Sequence, residues 1–151
     1  MALNFSTGFK NELLATNSVK TIFDDGYIAY YSGTVPDDAD AALGGATELV
    51  EFSDDGAAAG EGNGLDLDTA AVGGALAKAP AQTWKGTAGA SSAVVFFRWY
   101  QLGDDGLLST TQPRIQGLVG GGGSDLFVTS TTITSAVEYT IDMFSLSIPN
   151  L

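Results

Sequence analysis

The chain has 151 residues, with eighteen Asp plus Glu against six Lys plus Arg, a net charge of −12, and neither His nor Cys. That balance argues against nucleic acid and against anionic membrane surfaces, since binding to either draws on clustered Lys and Arg. It also removes the thiolate nucleophile, the imidazole acid–base and the usual ligands of zinc, while 44% hydrophobic residues supply a core for one domain, 1–151, without a disulfide or metal staple.

The first fifteen residues lack the basic start and greasy stretch of a secretory leader, because Asn4, Ser6, Lys10, Asn11 and Glu12 interrupt them. No apolar run reaches the length of about eighteen residues that a membrane helix needs. The expectation is a soluble protein made in the cytoplasm.

Phe9, Leu13 and Leu14 recur at helical spacing behind Ser6 and Thr7, and Val19, Ile22 and Phe23 continue after Thr16, Asn17 and Ser18. This predicts a short helix over 6–15 and a second turn over 18–23, within an N-terminal helical segment 1–25. Thr7 with Lys10 and Asn11 makes no capping box. Asp24-Asp25-Gly26 then favours a turn, and the aromatic and β-branched run 27–32 predicts the first strand.

Residues 33–47 contain Pro36, Asp37, Asp38, Asp40, Gly44 and Gly45 and read as a long loop, with one helical turn allowed over 38–43. Loops of this length tend to be functional or to contact a neighbour. From Glu48 on, short strand-like runs alternate with Gly or Asp punctuation, over 48–53, 64–68, 74–78, 83–88, 93–102, 113–117, 126–133 and 137–148. The fold class predicted is mainly β, an antiparallel, jelly-roll-like β-sandwich behind a short N-terminal helix. Asp-Asp-Gly recurs at 54–56 and 104–106, unequally spaced and so read as turns, and the four glycines 120–123 as a flexible connection.

Nothing in the carboxylate spacing selects a catalytic pair, and Asp or Glu in Gly-rich turns ordinarily face solvent. Calcium is the better chemistry for such loops, with Asp37, Asp38 and Asp40, or Asp66 and Asp68, as the places for it. Neither cluster has EF-hand spacing, and no cofactor or metal is assigned. Residues 60–64 and 120–123 lack the Lys-Ser or Lys-Thr of a phosphate loop.

The run 94–100 is apolar on both alternating faces and predicts a central strand. Arg98, placed on the face of Val94 and Phe96, has three open readings: a buried carboxylate partner, a partner chain, or a strand-end charge reaching solvent. Trp84, Trp99, Tyr30 and Tyr31 suit either a sugar-stacking platform or the core, the commoner fate of strand aromatics. Leu3, Phe5 and Phe9 either dock on an adjacent subunit or cover one open end of the fold.

Several stretches follow one pattern in order: LNFSTGFKN at 3–11, IAYYSGTVP at 28–36, ADAALG at 39–44, ASSAVVFFR at 90–98, STT at 109–111, PRIQG at 113–117 and YTID at 139–142. Across nearly the whole chain this resembles a family of small structural proteins of tailed bacteriophages and prophages. The resemblance carries no catalytic motif. It implies a non-enzymatic virion component, foremost a capsid decoration or cement protein acting as a homo-oligomer on the major capsid protein or other virion proteins. A neck, tail or baseplate adaptor and a host-glycan-binding module are the alternatives, with a hydrolase last. The residues expected at partner contacts are Leu3, Phe5, Phe9, Asp37, Asp38 and Arg98.

Overall fold

The structure, a computed structural model, describes residues 3–147. In chain order they form β1 (Asn4–Phe5), α1 (Thr7–Ala15), α2 (Val19–Phe23), β2 (Tyr27–Ser32), β3 (Thr47–Asp54), β4 (Ala75–Ala77) and β5 (Trp84–Thr87). There follow β6 (Ser92–Ala93), β7 (Phe96–Tyr100), β8 (Arg114–Gly120), β9 (Leu126–Phe127), β10 (Thr132–Ile133), β11 (Glu138–Ile141) and β12 (Ser145–Ser147). The protein is mainly β behind a short N-terminal helix, as predicted. None of these helices is long and apolar enough to cross a membrane.

Both helices start on a serine. Ser6 accepts from the Phe9 amide and Ser18 from the Thr21 amide, each answering an otherwise orphaned N–H of the first turn. The cap of α1 is therefore Ser6, one residue ahead of the Thr7 considered in the sequence.

One antiparallel path runs β1-β8-β7-β2-β3-β5-β11, with β9 attached in parallel to β8, and the ribbons β10–β6 and β12–β4 lie off it. The pairing is thus that of one continuous, mainly antiparallel sheet. The predicted strand 64–68 supplies only isolated bridges, Gly26 to Leu65 and Leu67 to Lys78. The predicted 126–133 strand divides into β9 and β10, and the predicted 137–148 strand into β11 and β12; its last residue, Ile148, lies outside the described residues. The loop 33–46 makes bends but no helical turn.

Register builds the two faces of the central strands. Ile28–Trp99–Ile115 and Tyr30–Phe97–Gly117 form lateral rows on one face, and Tyr31–Phe96–Leu118, Ala29–Arg98–Gln116 and Tyr27–Tyr100–Arg114 form rows on the other. On the first face lies the main core, where Phe9 meets Phe23, Phe23 meets Trp99, and Trp99 meets Trp84 and Phe144, with ring centroids 5.1–5.4 Å apart. Buried aromatic pairs at such separations add about 0.5–1.5 kcal/mol each beyond their area.

Gly86 shows how closely the layers approach. A Cβ there would collide with the carbonyl oxygen of Glu51 on the neighbouring β3, so the β3–β5 junction admits only glycine at this point.

Candidate functional site

The loop 33–46 is not a free loop but a strap across the second face of the sheet, and the side chains beneath it are polar. Arg98, Arg114 and Gln116, on the adjacent strands β7 and β8, are buried under it. Each points at the strap because strand alternation puts it on the face opposite Trp99 and Ile115.

Arg114 is the anchored member. Its Nε and Nη2 donate to the two carboxylate oxygens of Asp104, both at 2.7 Å, in a fork-on-fork pair with no side-chain exposure on either partner. Nη1 reaches the carbonyls of Ala39 and Asp40 at 3.5 and 3.4 Å. Burial pulls the guanidinium pKa down, but the hydrogen bond and charge of Asp104 outweigh it and the net shift is upward. Asp104 belongs to the third Asp-Asp-Gly turn, so that turn serves as the counter-ion of a buried arginine as well as a change of direction.

Arg98 is held differently. Its Nε donates to Gln116 Oε1 at 2.7 Å and its Nη2 to the Asp38 carbonyl at 3.0 Å, while Gln116 Nε2 donates to the Pro36 carbonyl at 2.9 Å. Among the described residues no carboxylate forms an ion pair with it, and Nη1 is buried without a hydrogen-bond partner, as is the nearby Tyr100 hydroxyl. Burial, with the Arg114 charge adding to it, lowers the Arg98 pKa from the ordinary arginine value. Two sequence readings of Arg98 are corrected here: it reaches neither solvent nor, among the described residues, a carboxylate, and inside one molecule its partners are an amide and a carbonyl. It also does not share a face with Val94. Val94 packs in the main core, whereas Val95 and Phe96 both pack on the second face, because strand pairing lapses at 94–95 and alternation slips by one.

The strap is tied at its outer side to the N-terminus. Thr7 donates from its amide and hydroxyl to the Asp40 carboxylate at 2.8 and 2.6 Å, and Asn4 Oδ1 accepts from the Ala39 amide at 3.2 Å. Ser6 Oγ, besides capping α1, accepts from the Arg114 amide at 2.8 Å and donates to the Gln112 carbonyl at 2.8 Å. The stretches that carry the family resemblance thus meet here: 3–11, 28–36, 39–44, Arg98, Ser109 and 113–117 all contribute to the strap, its floor or its ties.

The predicted contact residues divide between the core and the strap. Phe9 is buried, Leu3 and Phe5 are half-buried against the same core, and Phe5 stacks on Phe9 at 5.0 Å. Leu3, Phe5 and Phe9 therefore cover the fold, the second of their two readings, while Leu14 on α1 is exposed. Asp38 turns its carboxylate back on the Ala41 amide at 2.8 Å and offers its carbonyl to Arg98. Asp37 is exposed on the strap.

The acidic turns hold backbone. Asp25 accepts from the Gly62 and Gly64 amides, Asp66 from the Asp25 amide and Gln82, Asp54 from the Thr83 amide, Asp125 from the Leu118 amide, and Asp68 from Thr69. Among the described residues, no three Asp or Glu side chains gather where they would hold a metal ion. Trp84, Trp99, Tyr30 and Tyr31 are buried at 0–4% exposure, which leaves none of them as an open sugar-stacking surface.

Exposed apolar side chains lie elsewhere. Beside β11, which ends the sheet path, a groove of about 390 Å³ runs between residues 126–133 and 139–143, with Phe127 and Met143 67% and 88% exposed at its rim. Comparison with known protein families, with curated proteins and with solved structures finds no match.

Proposed function

We propose that this chain is a non-enzymatic structural subunit of a tailed-phage particle, foremost a decoration or cement protein that binds the assembled head shell. One observation carries the reading beside the family resemblance: the buried arginines, their buried carboxylate and several acidic side chains of the turns are engaged in fixing loops to the sheet. Arg98 and Arg114 hold the strap, Asp104 holds Arg114, and Asp25, Asp54, Asp66 and Asp125 hold backbone amides. Such a pattern makes a rigid body with firmly placed loops, which is what a clamp across other subunits requires.

The surface suits the role as well. A net charge of −12 keeps the free protein soluble before assembly. The outer edge of β11, which ends the sheet path among the described residues and has Phe127 and Met143 beside it, is the place where a neighbouring subunit would cover an exposed strand. Co-sedimentation tests the reading: purified protein pellets with assembled empty shells and stays in the supernatant with isolated shell subunits. Equal behaviour with both, or no binding to either, overturns it.

A further inference from the structure

We propose that residues 33–46 are a hinged strap that opens as one unit while the sheet beneath stays folded, uncovering the Arg98 face. The claim rests on how the strap is attached, and it holds or fails independently of any place in a particle.

Both ends have hinge chemistry. Gly33 sits at φ +98° and Gly44 at φ +61°, and a Cβ at Gly44 or Gly45 would meet nothing within 4 Å, so neither is pinned by neighbours at the far end. Between the hinges the strap brings little apolar surface: Ala39 is buried and Val35 and Leu43 are half-buried. What fixes it is polar: the Pro36, Asp38, Ala39 and Asp40 carbonyls on Gln116, Arg98 and Arg114, the Asp40 carboxylate on Thr7, and the Leu43 and Ser109 amides on the Gly106 and Asp40 carbonyls. Bonds of this kind are exchanged for bonds to water on opening, at a modest net cost each.

The closed state also carries a burden that opening removes. Arg98 is a buried cation that forms no ion pair among the described residues, in a chain that has three acidic residues for every basic one, and its Nη1 has no hydrogen-bond partner among them. Water would satisfy that nitrogen and hydrate the charge, so the open state gains where the closed state is weakest. Segments with few apolar contacts open below the threshold of global unfolding. The surface uncovered holds Tyr31, Phe96, Arg98, Tyr100 and Arg114, a cationic and aromatic patch on an otherwise acidic protein.

Native-state hydrogen exchange tests this. The amides of Ala39 and Leu43, together with those of Thr7 and Ser109 that donate to Asp40, exchange through one shared opening, about 100-fold or more faster than the amides of β2 and β7. Gly44→Ala, which places a Cβ at positive φ in the closed strap, speeds that shared exchange about five- to tenfold and leaves β2 and β7 unchanged. Strap and strand amides exchanging together with the same denaturant dependence overturn the proposal. A Gly44→Ala effect that is absent, or spread evenly over strap and strands, overturns it too.

Discussion

The two faces of the same three strands are held by opposite means. On one face Ile28, Trp99 and Ile115 meet a layer of aromatic and aliphatic side chains from both helices and from residues 65–67 and 144–146. On the other, at the alternate positions of the same strands, Arg98, Gln116 and Arg114 meet the strap through hydrogen bonds, and Arg114 also pairs with Asp104. The first face supplies stability that does not depend on direction, since burial rewards any close fit. The second supplies placement: a carbonyl must sit where a guanidinium can reach it, so the strap takes one position when closed. Stability and loop placement are separable in this molecule, and mutations should separate them.

The largest losses fall at one buried site on each face. Trp99→Ala, at a fully buried site touching Phe23, Trp84 and Phe144, is expected to cost about 3–5 kcal/mol in denaturant unfolding. On the polar face Arg114→Met leaves the Asp104 carboxylate buried without its partner and is expected to cost about 3–5 kcal/mol as well. The double change Arg114→Met with Asp104→Leu recovers most of that loss, because apolar pairs commonly replace buried ion pairs without penalty. Trp99→Ala has no such rescue, and a double variant as unstable as the single one would break the distinction between the faces.

Ser6→Ala comes next, at about 1–2 kcal/mol, because one hydroxyl caps α1 and also accepts the Arg114 amide. Arg98→Met is the sharper test of the uncompensated charge. It removes a buried cation that has no counter-ion, against two lost hydrogen bonds, so its cost stays within about 1 kcal/mol and well below that of Arg114→Met. Equal costs for the two arginines would show that counter-ion pairing does not set their difference.

The smallest effect is alkaline. Burial raises the pKa of Tyr27, Tyr30, Tyr31 and Tyr100 above the ordinary tyrosine value, with Tyr100 adding to the shift at Tyr31. The unfolded chain releases these protons near pH 10, roughly the unperturbed value, while the folded chain keeps them. Stability is therefore unaffected by these groups below about pH 10 and falls as pH rises toward the folded-state values. Chemical denaturation across that range, followed with tyrosinate absorbance, checks it, and Tyr31→Phe flattens the slope.

How much of this was legible in the sequence depends on the reach of each signal. The strand 27–32 and the helix behind Ser6 carry their pattern locally, and the structure places them at Tyr27–Ser32 and Thr7–Ala15. The two residues of β1 have no periodicity to read, since their partner, β8, lies about a hundred residues on. Arg98 drew attention as a rare base in an apolar strand. Arg114 stands in PRIQG with the same signal, and Asp104, which composition assigns to a turn, is assigned by the fold to a buried pair. The strap itself was visible as a long acidic loop. That it lies on a buried face follows only from pairing β2 with β7 and β7 with β8, which no local pattern encodes.

The account's central claim, that this is a scaffold component used in many copies, is tested most directly by counting it. Quantitative mass spectrometry of purified particles, set against their major shell protein, should give a simple small-integer ratio between the two. A few copies per particle would move the chain to the neck or tail, and its absence from particles that carry its gene would contradict the claim outright.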